Sequence, residues 1–336
     1  MPQQQRTLRA GVVGLGMMGR HHARVLRELD GVDLVAVADP GGDPHHVAGA
    51  LPVLPSVGAL VDAGVDYAVV ATPTGLHEEV ALELASAGVH TMVEKPVAAD
   101  GPSARRITDA FAAAGLVGAV GHIERFNPAL QQLRSRLENG DLGEVFQIST
   151  RRQGPFPARI ADVGVVKDLA THDIDLTAWV AQSPYTSVGA QVTHRSGREH
   201  EDLVAAVGSL ADGTVTSHLV NWLTPYKERT TVVTGDRGCF VADTLTADLT
   251  FFANGTVPTE WAPVSAFRGV SEGDMTRFAF PKREPLRLEH EALRDAVRGD
   301  ASRIVTMAEG LRTVEVAEAL LTSARDGRVV TLSTPA

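Results

Sequence analysis

Apolar and polar positions follow a repeated order along the first third of the chain. LRAGVVGL (8–15) is an apolar run ending in glycines, and MMGRHHARVLREL (17–29) has apolar residues at helical spacing. DLVAVAD (33–39) reads as a short strand and VDYAVVATP (65–73) as another. HEEVALELASAG (77–88) reads as a helix closed by Gly88, and VHTMVEKP (89–96) as a strand stopped by Pro96. DGPSARRITDAFAAAG (100–115) is a predicted helix and LVGAVGH (116–122) a last apolar strand. Strands alternating with helices of this length predict parallel strands joined by right-handed crossovers.

Past His122 the pattern changes. NPALQQLRSRLENG (127–140) predicts a helix with Pro128 in its first turn, and EVFQISTRRQG (144–154) alternates like a half-exposed strand. LVAAVGSLADGTVTSHLVNWL (203–223) reads as a hairpin turning at ADG, followed by strand-like runs to Gly255. RLEHEALRDAVRG (287–299) and MAEGLRTVEVAEALLTSARDG (307–327) read as helices before a short VVTL strand. The expected fold class is α/β: an N-terminal Rossmann domain with a parallel sheet, residues 1–122, and a C-terminal α+β domain with a mostly antiparallel open sheet, residues 123–336.

The chain has 336 residues, 44% of them hydrophobic, enough for two cores. Its 41 Asp and Glu outnumber 31 Lys and Arg, giving a net charge of −10. Such a chain repels a phosphate backbone, so nucleic acid is not an expected partner. The apolar run near 110–123 is too short and too Gly-rich for a bilayer span, so no membrane partner is expected either. Arg6 and Arg9 before AGVVGLGMMG imitate a signal peptide, but the segment reads as a strand. The single Cys239 cannot form an intramolecular disulfide, which fits a cytoplasmic location, and it reads as a small core residue.

Three motifs carry chemistry. GLGMMG places Gly14, Gly16 and Gly19 in G-x-G-x-x-G spacing after a strand and before a helix, the context for a dinucleotide pyrophosphate. Asp39, 20 residues past Gly19, ends the second strand, where a carboxylate accepts ribose hydroxyls and repels a 2′-phosphate. NAD is therefore expected over NADP. Glu94-Lys95-Pro96 ends another strand, where a lysine can stabilise a developing alkoxide; a merely solvated lysine is the alternative. In DLATHDID (168–175), helical spacing aligns Asp168, His172 and Asp175 on one face. That stripe reads as proton-transfer machinery, a solvated face or a metal site. It lacks a clear fourth ligand, so no metal is expected. His21-His22 and His45-His46 read as structural, with His21 and His22 placed to cover the cofactor.

GVVGLGMMGRHH, the EKP at 94–96 and the D-x-x-x-H of Asp168 and His172 together resemble the Gfo/Idh/MocA oxidoreductases over nearly the whole chain. The resemblance implies Lys95, Asp168 and His172 as the catalytic group, with His172 as acid/base. It implies an NAD-dependent dehydrogenase of a sugar or cyclitol that assembles as a homodimer or homotetramer. The expected cofactor contacts are Gly14, Gly16, Met17, Met18, Gly19, Asp39, Thr72, Pro73, His77, Glu94 and Lys95. GHIERFNP (121–128) and NWLTPYKER (221–229) resemble the branch acting on nucleotide-linked amino sugars, at C3. There Arg125, Asn127 and Lys227, with Lys95, Asp168 and His172, are the expected substrate contacts; Arg229 can also hold an anion. Surface or capping roles are the alternative for Arg125, Asn127, Lys227 and Arg229. Free inositol or monosaccharide oxidation, keto-sugar reduction and a non-catalytic NAD sensor are the rival functions. Lys167 departs from the usual apolar residue before the aspartate. It either lowers the pKa of Asp168 or points away.

Overall fold

The computed structural model describes residues 6–157, 163–255 and 272–333. The chain divides into two compact units, Met1–Ile123 with Glu284–Glu315, and Glu124–Arg283 with Val316–Ala336. The expected boundary at 122/123 falls one residue later. The second unit is not the unbroken stretch 123–336, however, because 284–315 packs with the first. Its apolar residues explain why: Leu293, Val305, Met307 and Leu311 join the core of the parallel sheet.

The first unit is built on six parallel strands: β1 (Leu8–Val13), β2 (Val32–Ala38), β3 (Val53–Leu54), β4 (Tyr67–Val70), β5 (His90–Glu94) and β6 (Gly118–Gly121). Their order is β3-β2-β1-β4-β5-β6, with the direction of winding reversing between β1 and β4. Adjacent residues on each strand point to opposite faces. Val12, Val37, Val69, Met92 and Ala119 enter one core, and Val13, Ala38, Val70, Val93 and Val120 the other. Both faces are buried, which is why these strands read as continuous apolar runs. The helices are α1 (Met17–Glu28), α2 (Val57–Asp62), α3 (His77–Ser86), α4 (Gly101–Ala114) and α7 (Pro285–Val297). The pattern missed α2 and β3, which are six and two residues long.

The second unit carries a nine-stranded sheet in the order β14-β13-β12-β11-β7-β10-β9-β8-β15. These are β7 (Val145–Pro155), β8 (Tyr185–Thr193), β9 (Leu203–Leu210), β10 (Val215–Asn221), β11 (Leu223–Gly235), β12 (Gly238–Asp243), β13 (Asp248–Asn254), β14 (Glu272–Arg277) and β15 (Val330–Thr331). The 203–223 hairpin forms as β9 and β10. All pairs are antiparallel except β7 with β10. Helices α5 (Pro128–Glu138) and α6 (Thr171–Ala181) pack on this unit's core. The last helix, α8 (Met307–Asp326), contributes Leu311 and Val314 to the first unit's core and Leu320 to the second's. Among the described residues, no helix is long and apolar enough to cross a membrane.

Candidate active site

In the first unit the expected cofactor residues gather at the C-terminal ends of β1, β2, β4 and β5. Gly14 turns the chain after β1 with φ +93°, and a Cβ there would lie 2.7 Å from the Ala71 carbonyl and the Thr72 nitrogen. A Cβ on Gly19 would lie 1.9 Å from the Gly14 oxygen, so only glycine lets α1 start this close to the strand. Gly16 faces open space, with nothing within 4 Å of its missing Cβ. Helix α1 starts there with no side-chain cap and no acidic residue in its first turn. The main-chain N–H groups of Met17, Met18 and Gly19 are therefore available to an anion, and the helix dipole favours one. The Thr72 hydroxyl beside this turn is buried with no hydrogen-bond partner among the described residues. An open cradle, an uncapped helix start and an orphaned hydroxyl all fit a dinucleotide pyrophosphate.

Asp39, the residue expected at the ribose, also holds the backbone. Its Oδ2 accepts the Leu15 N–H at 2.8 Å and its Oδ1 the Gly41 N–H at 2.8 Å. The same carboxylate thus holds the glycine turn, while each oxygen keeps lone-pair capacity for a diol. His77 is buried, with Nδ1 2.9 Å from the Pro96 carbonyl and Nε2 3.0 Å from that of Thr72. Burial lowers its basicity although both nitrogens face acceptors. It ties the Thr72-Pro73 loop to the EKP turn through main-chain atoms, and its ring offers no open face to a ligand. Pro73 is exposed at that loop. Burial alone would raise the Glu94 carboxyl; the His22 hydrogen bond and the Lys95 charge outweigh it and hold it below the usual carboxylate range. Lys95 follows, half-buried.

In the second unit DLATHDID is not one regular helix. Val166–Ala170 forms a π-helical turn and α6 begins at Thr171. Such turns recur at functional sites. Asp168 and His172 are half-buried, whereas Asp173 and Asp175 are each 2% exposed. The expected three-residue stripe therefore divides. Asp175 leaves it because Arg125 grips its carboxylate from Nε at 2.8 Å and Nη2 at 2.6 Å. Asp173 accepts from Arg152 Nε at 3.0 Å, and Arg152 Nη1 also reaches Glu124 at 2.8 Å. Burial alone would lower Arg152; Asp173 and Glu124 outweigh it and raise it. Arg229 stands opposite Arg152 across β7 and β11 and lies 3.5 Å from Glu124. At the start of the segment Glu201 Oε1 accepts the Val166 N–H at 3.0 Å. A Cβ on Gly164 would collide with that carboxylate at 2.0 Å.

Two expected substrate contacts have partners within the fold. The buried Arg125 is engaged with Asp175 because an unpaired charge is costly away from water. Asn127 caps α5, accepting the Ala129 N–H and donating to the Thr244 carbonyl at 3.0 Å. Lys227 is exposed. Cys239 is half-buried in β12. Of the residues expected to be catalytic, Lys95 belongs to the first unit and Asp168 and His172 to the second. Arg152, Asp173 and Glu201 were missed: each sits among polar or charged neighbours, in STRRQG, THDID and REHED, so nothing in the sequence sets it apart.

Residues 8–122 match the oxidoreductase family with an NAD-binding Rossmann fold, and residues 130–241 match the GFO/IDH/MocA C-terminal domain. Over 211 residues the chain is 35% identical to UDP-N-acetylglucosamine 3-dehydrogenase of Acidithiobacillus ferrooxidans, covering 62% of this chain and 65% of that one. It is 31% identical over 204 residues to inositol 2-dehydrogenase 2 of Saccharopolyspora erythraea, covering 58% and 60%. These matches span less than two thirds of either relative. The solved structure of UDP-N-acetylglucosamine 3-dehydrogenase GnnA from A. ferrooxidans superposes with a TM-score of 0.81, 27% identity and coverage of 95% and 98%. WlbA dehydrogenase from Bordetella pertussis, solved with NADH and UDP-GlcNAcA, gives a TM-score of 0.79 and 25% identity, covering 98% and 100%. With both of its domains matched in sequence and its fold in structure, the chain belongs to the Gfo/Idh/MocA family of NAD-binding oxidoreductases.

Proposed function

We propose that the protein is an NAD-dependent dehydrogenase acting on a ring secondary alcohol of a nucleotide-linked amino sugar, at C3. The observation that carries this reading is the 168–172 turn. Asp168 and His172 stay half-buried on a segment whose other two carboxylates are locked inward by arginines. An imidazole held beside a carboxylate is suited to take a hydroxyl proton near neutral pH. In this reading His172 removes the proton, Lys95 stabilises the developing alkoxide and Asp168 supports His172. NAD, when bound, accepts the hydride. The sugar assignment rests on the named activity of the A. ferrooxidans relative and on the UDP-GlcNAcA bound in the B. pertussis structure.

A second reading, inositol oxidation, is favoured by the S. erythraea relative. It needs no nucleotide subsite; Arg125 and Asn127 are committed internally and Arg229 is paired with Glu124, which leaves the exposed Lys227 among the expected anion contacts. The uncovered face of the nine-stranded sheet, where Phe146, Val207 and Val215 are exposed, is the surface we assign to self-association as a dimer or tetramer. The single half-buried cysteine suits a reducing cytoplasm.

The test incubates the protein with NAD or NADP against UDP- and dTDP-sugars, free sugars and inositols, and follows reduced nicotinamide by absorbance. NAD reduction by an amino-sugar nucleotide alone supports the proposal. Reduction by inositols alone replaces it with the second reading. Silence with every alcohol, while NAD binds, overturns the dehydrogenase reading.

A further inference from the structure

A buried hydrogen-bonded line ends beneath Lys95. His22 Nε2 lies 2.8 Å from Glu94 Oε1, and His22 Nδ1 lies 2.9 Å from His290 Nε2. Both histidines are fully enclosed, with their rings edge to face at 5.0 Å. The other Glu94 oxygen, Oε2, accepts the Lys95 main-chain N–H at 3.0 Å. Gly121, opposite Glu94 on β6, makes room for this carboxylate; a Cβ there would approach Oε2 to 3.2 Å. The line joins three separate elements of the first unit: the helix after the glycine turn, the EKP strand end and α7.

The chemistry sets the direction of its protons. An ionised Glu94 only accepts, so His22 must present Nε2–H to it. Where His22 carries a single N–H, that leaves its Nδ1 as a lone pair. His290 must then donate from Nε2. Burial pushes His290 well below the usual histidine range, so it stays neutral. Each proton in the line points toward Glu94. A protonated Glu94 would lose its negative charge beside Lys95 and could turn a donor toward the Lys95 N–H.

We propose that His22 and His290 are positioning residues for Lys95: they fix the Glu94 carboxylate, and Glu94 fixes the main chain that presents the lysine. The proposal rests on the reading of Lys95 as the group that stabilises the alkoxide. It makes the helix of the dinucleotide turn and the reactive lysine parts of one hydrogen-bonded unit, and it assigns a role to α7, which lies outside both matched family segments.

The test compares wild type with His290→Leu, which removes the donor, and His290→Gln, which returns an N–H. The first readout is the rate at which an acylating reagent modifies the Lys95 amine, followed by mass spectrometry without substrate. The others are kcat and the Kd for NAD. In His290→Leu we expect Lys95 labelling to change about threefold or more, kcat to fall about tenfold and the NAD Kd to stay within about twofold. His290→Gln should move labelling and kcat back toward wild type. Unchanged labelling in a folded His290→Leu protein overturns the proposal even if its melting temperature drops. If that variant does not fold, nitrogen NMR of the wild-type rings decides. Nε2–H on both His22 and His290 supports the line, and Nδ1–H on His22 overturns it. Labelling that responds in a protein that oxidises no alcohol keeps the line and discards the catalytic reading of Lys95.

Discussion

Arg125 and Asp175, fifty residues apart, form a two-point ion pair with both side chains buried, Nε to Oδ2 at 2.8 Å and Nη2 to Oδ1 at 2.6 Å. Removing one partner leaves the other charge buried, which typically costs about 3–5 kcal/mol. Arg125→Ala and Asp175→Asn should each lower the stability of the second unit by that order, measured by urea unfolding. A loss below about 1 kcal/mol in both would mean that water reaches the pair.

Asp39 holds the glycine turn, and in the proposed reading it also holds the ribose. Asp39→Ala removes the acceptor for the Leu15 and Gly41 N–H groups and, in the proposed reading, the charge that repels a 2′-phosphate. NAD should bind roughly tenfold more weakly and the preference for NAD over NADP should shrink, because two or three hydrogen bonds and a repulsion disappear together. Calorimetric titration with each dinucleotide checks this. Unchanged NAD affinity would show that Asp39 faces neither the turn nor the ribose in solution.

His218 makes the fold sensitive to acid. Its ring is buried between the Thr150 and Tyr185 hydroxyls, and burial lowers its pKa to about 4. The unfolded chain binds this proton at about 6.5. Between these values the unfolded state holds more protons, so stability rises with pH and is lost as pH falls from about 6.5 to about 4. The full loss from this one group is about 3 kcal/mol. Urea midpoints across that window should fall for wild type, and His218→Gln should flatten the slope. Equal slopes in both would place the acid sensitivity elsewhere.

Gly164 is a steric test of the turn that carries Asp168. A methyl group there would displace the Glu201 carboxylate from the Val166 N–H. Gly164→Ala should cost about 1–3 kcal/mol and lower kcat, while NAD affinity, a property of the first unit, should be unaffected. Steady-state kinetics alongside NAD titration would show the split. Wild-type kcat in the variant would mean that the turn does not need its cap.

The Rossmann domain was legible in the chain because its signals are local. Alternation of apolar runs and helical spacing follows from backbone geometry within a few residues. Gly14 and Gly19 report contacts of 2.7 and 1.9 Å with segments the same motif brings together. The strand end carrying Lys95 and the segment carrying Asp168 and His172 were equally readable, since each is a short contiguous motif. Which charges meet was not. Asp175 looked like a neighbour of His172 by spacing, yet its partner is Arg125, and Asp173 turns inward to Arg152 on β7. Buried charges pair with whatever opposite charge the packed fold places beside them, and helical periodicity contains no term for that. The assignment of 284–315 to the first unit and the meeting of His22 with His290 across 268 positions have the same origin. Local sterics choose the elements from sequence alone. The choice of which polar groups lose water together is made by the tertiary structure, because desolvation depends on every segment that closes around them.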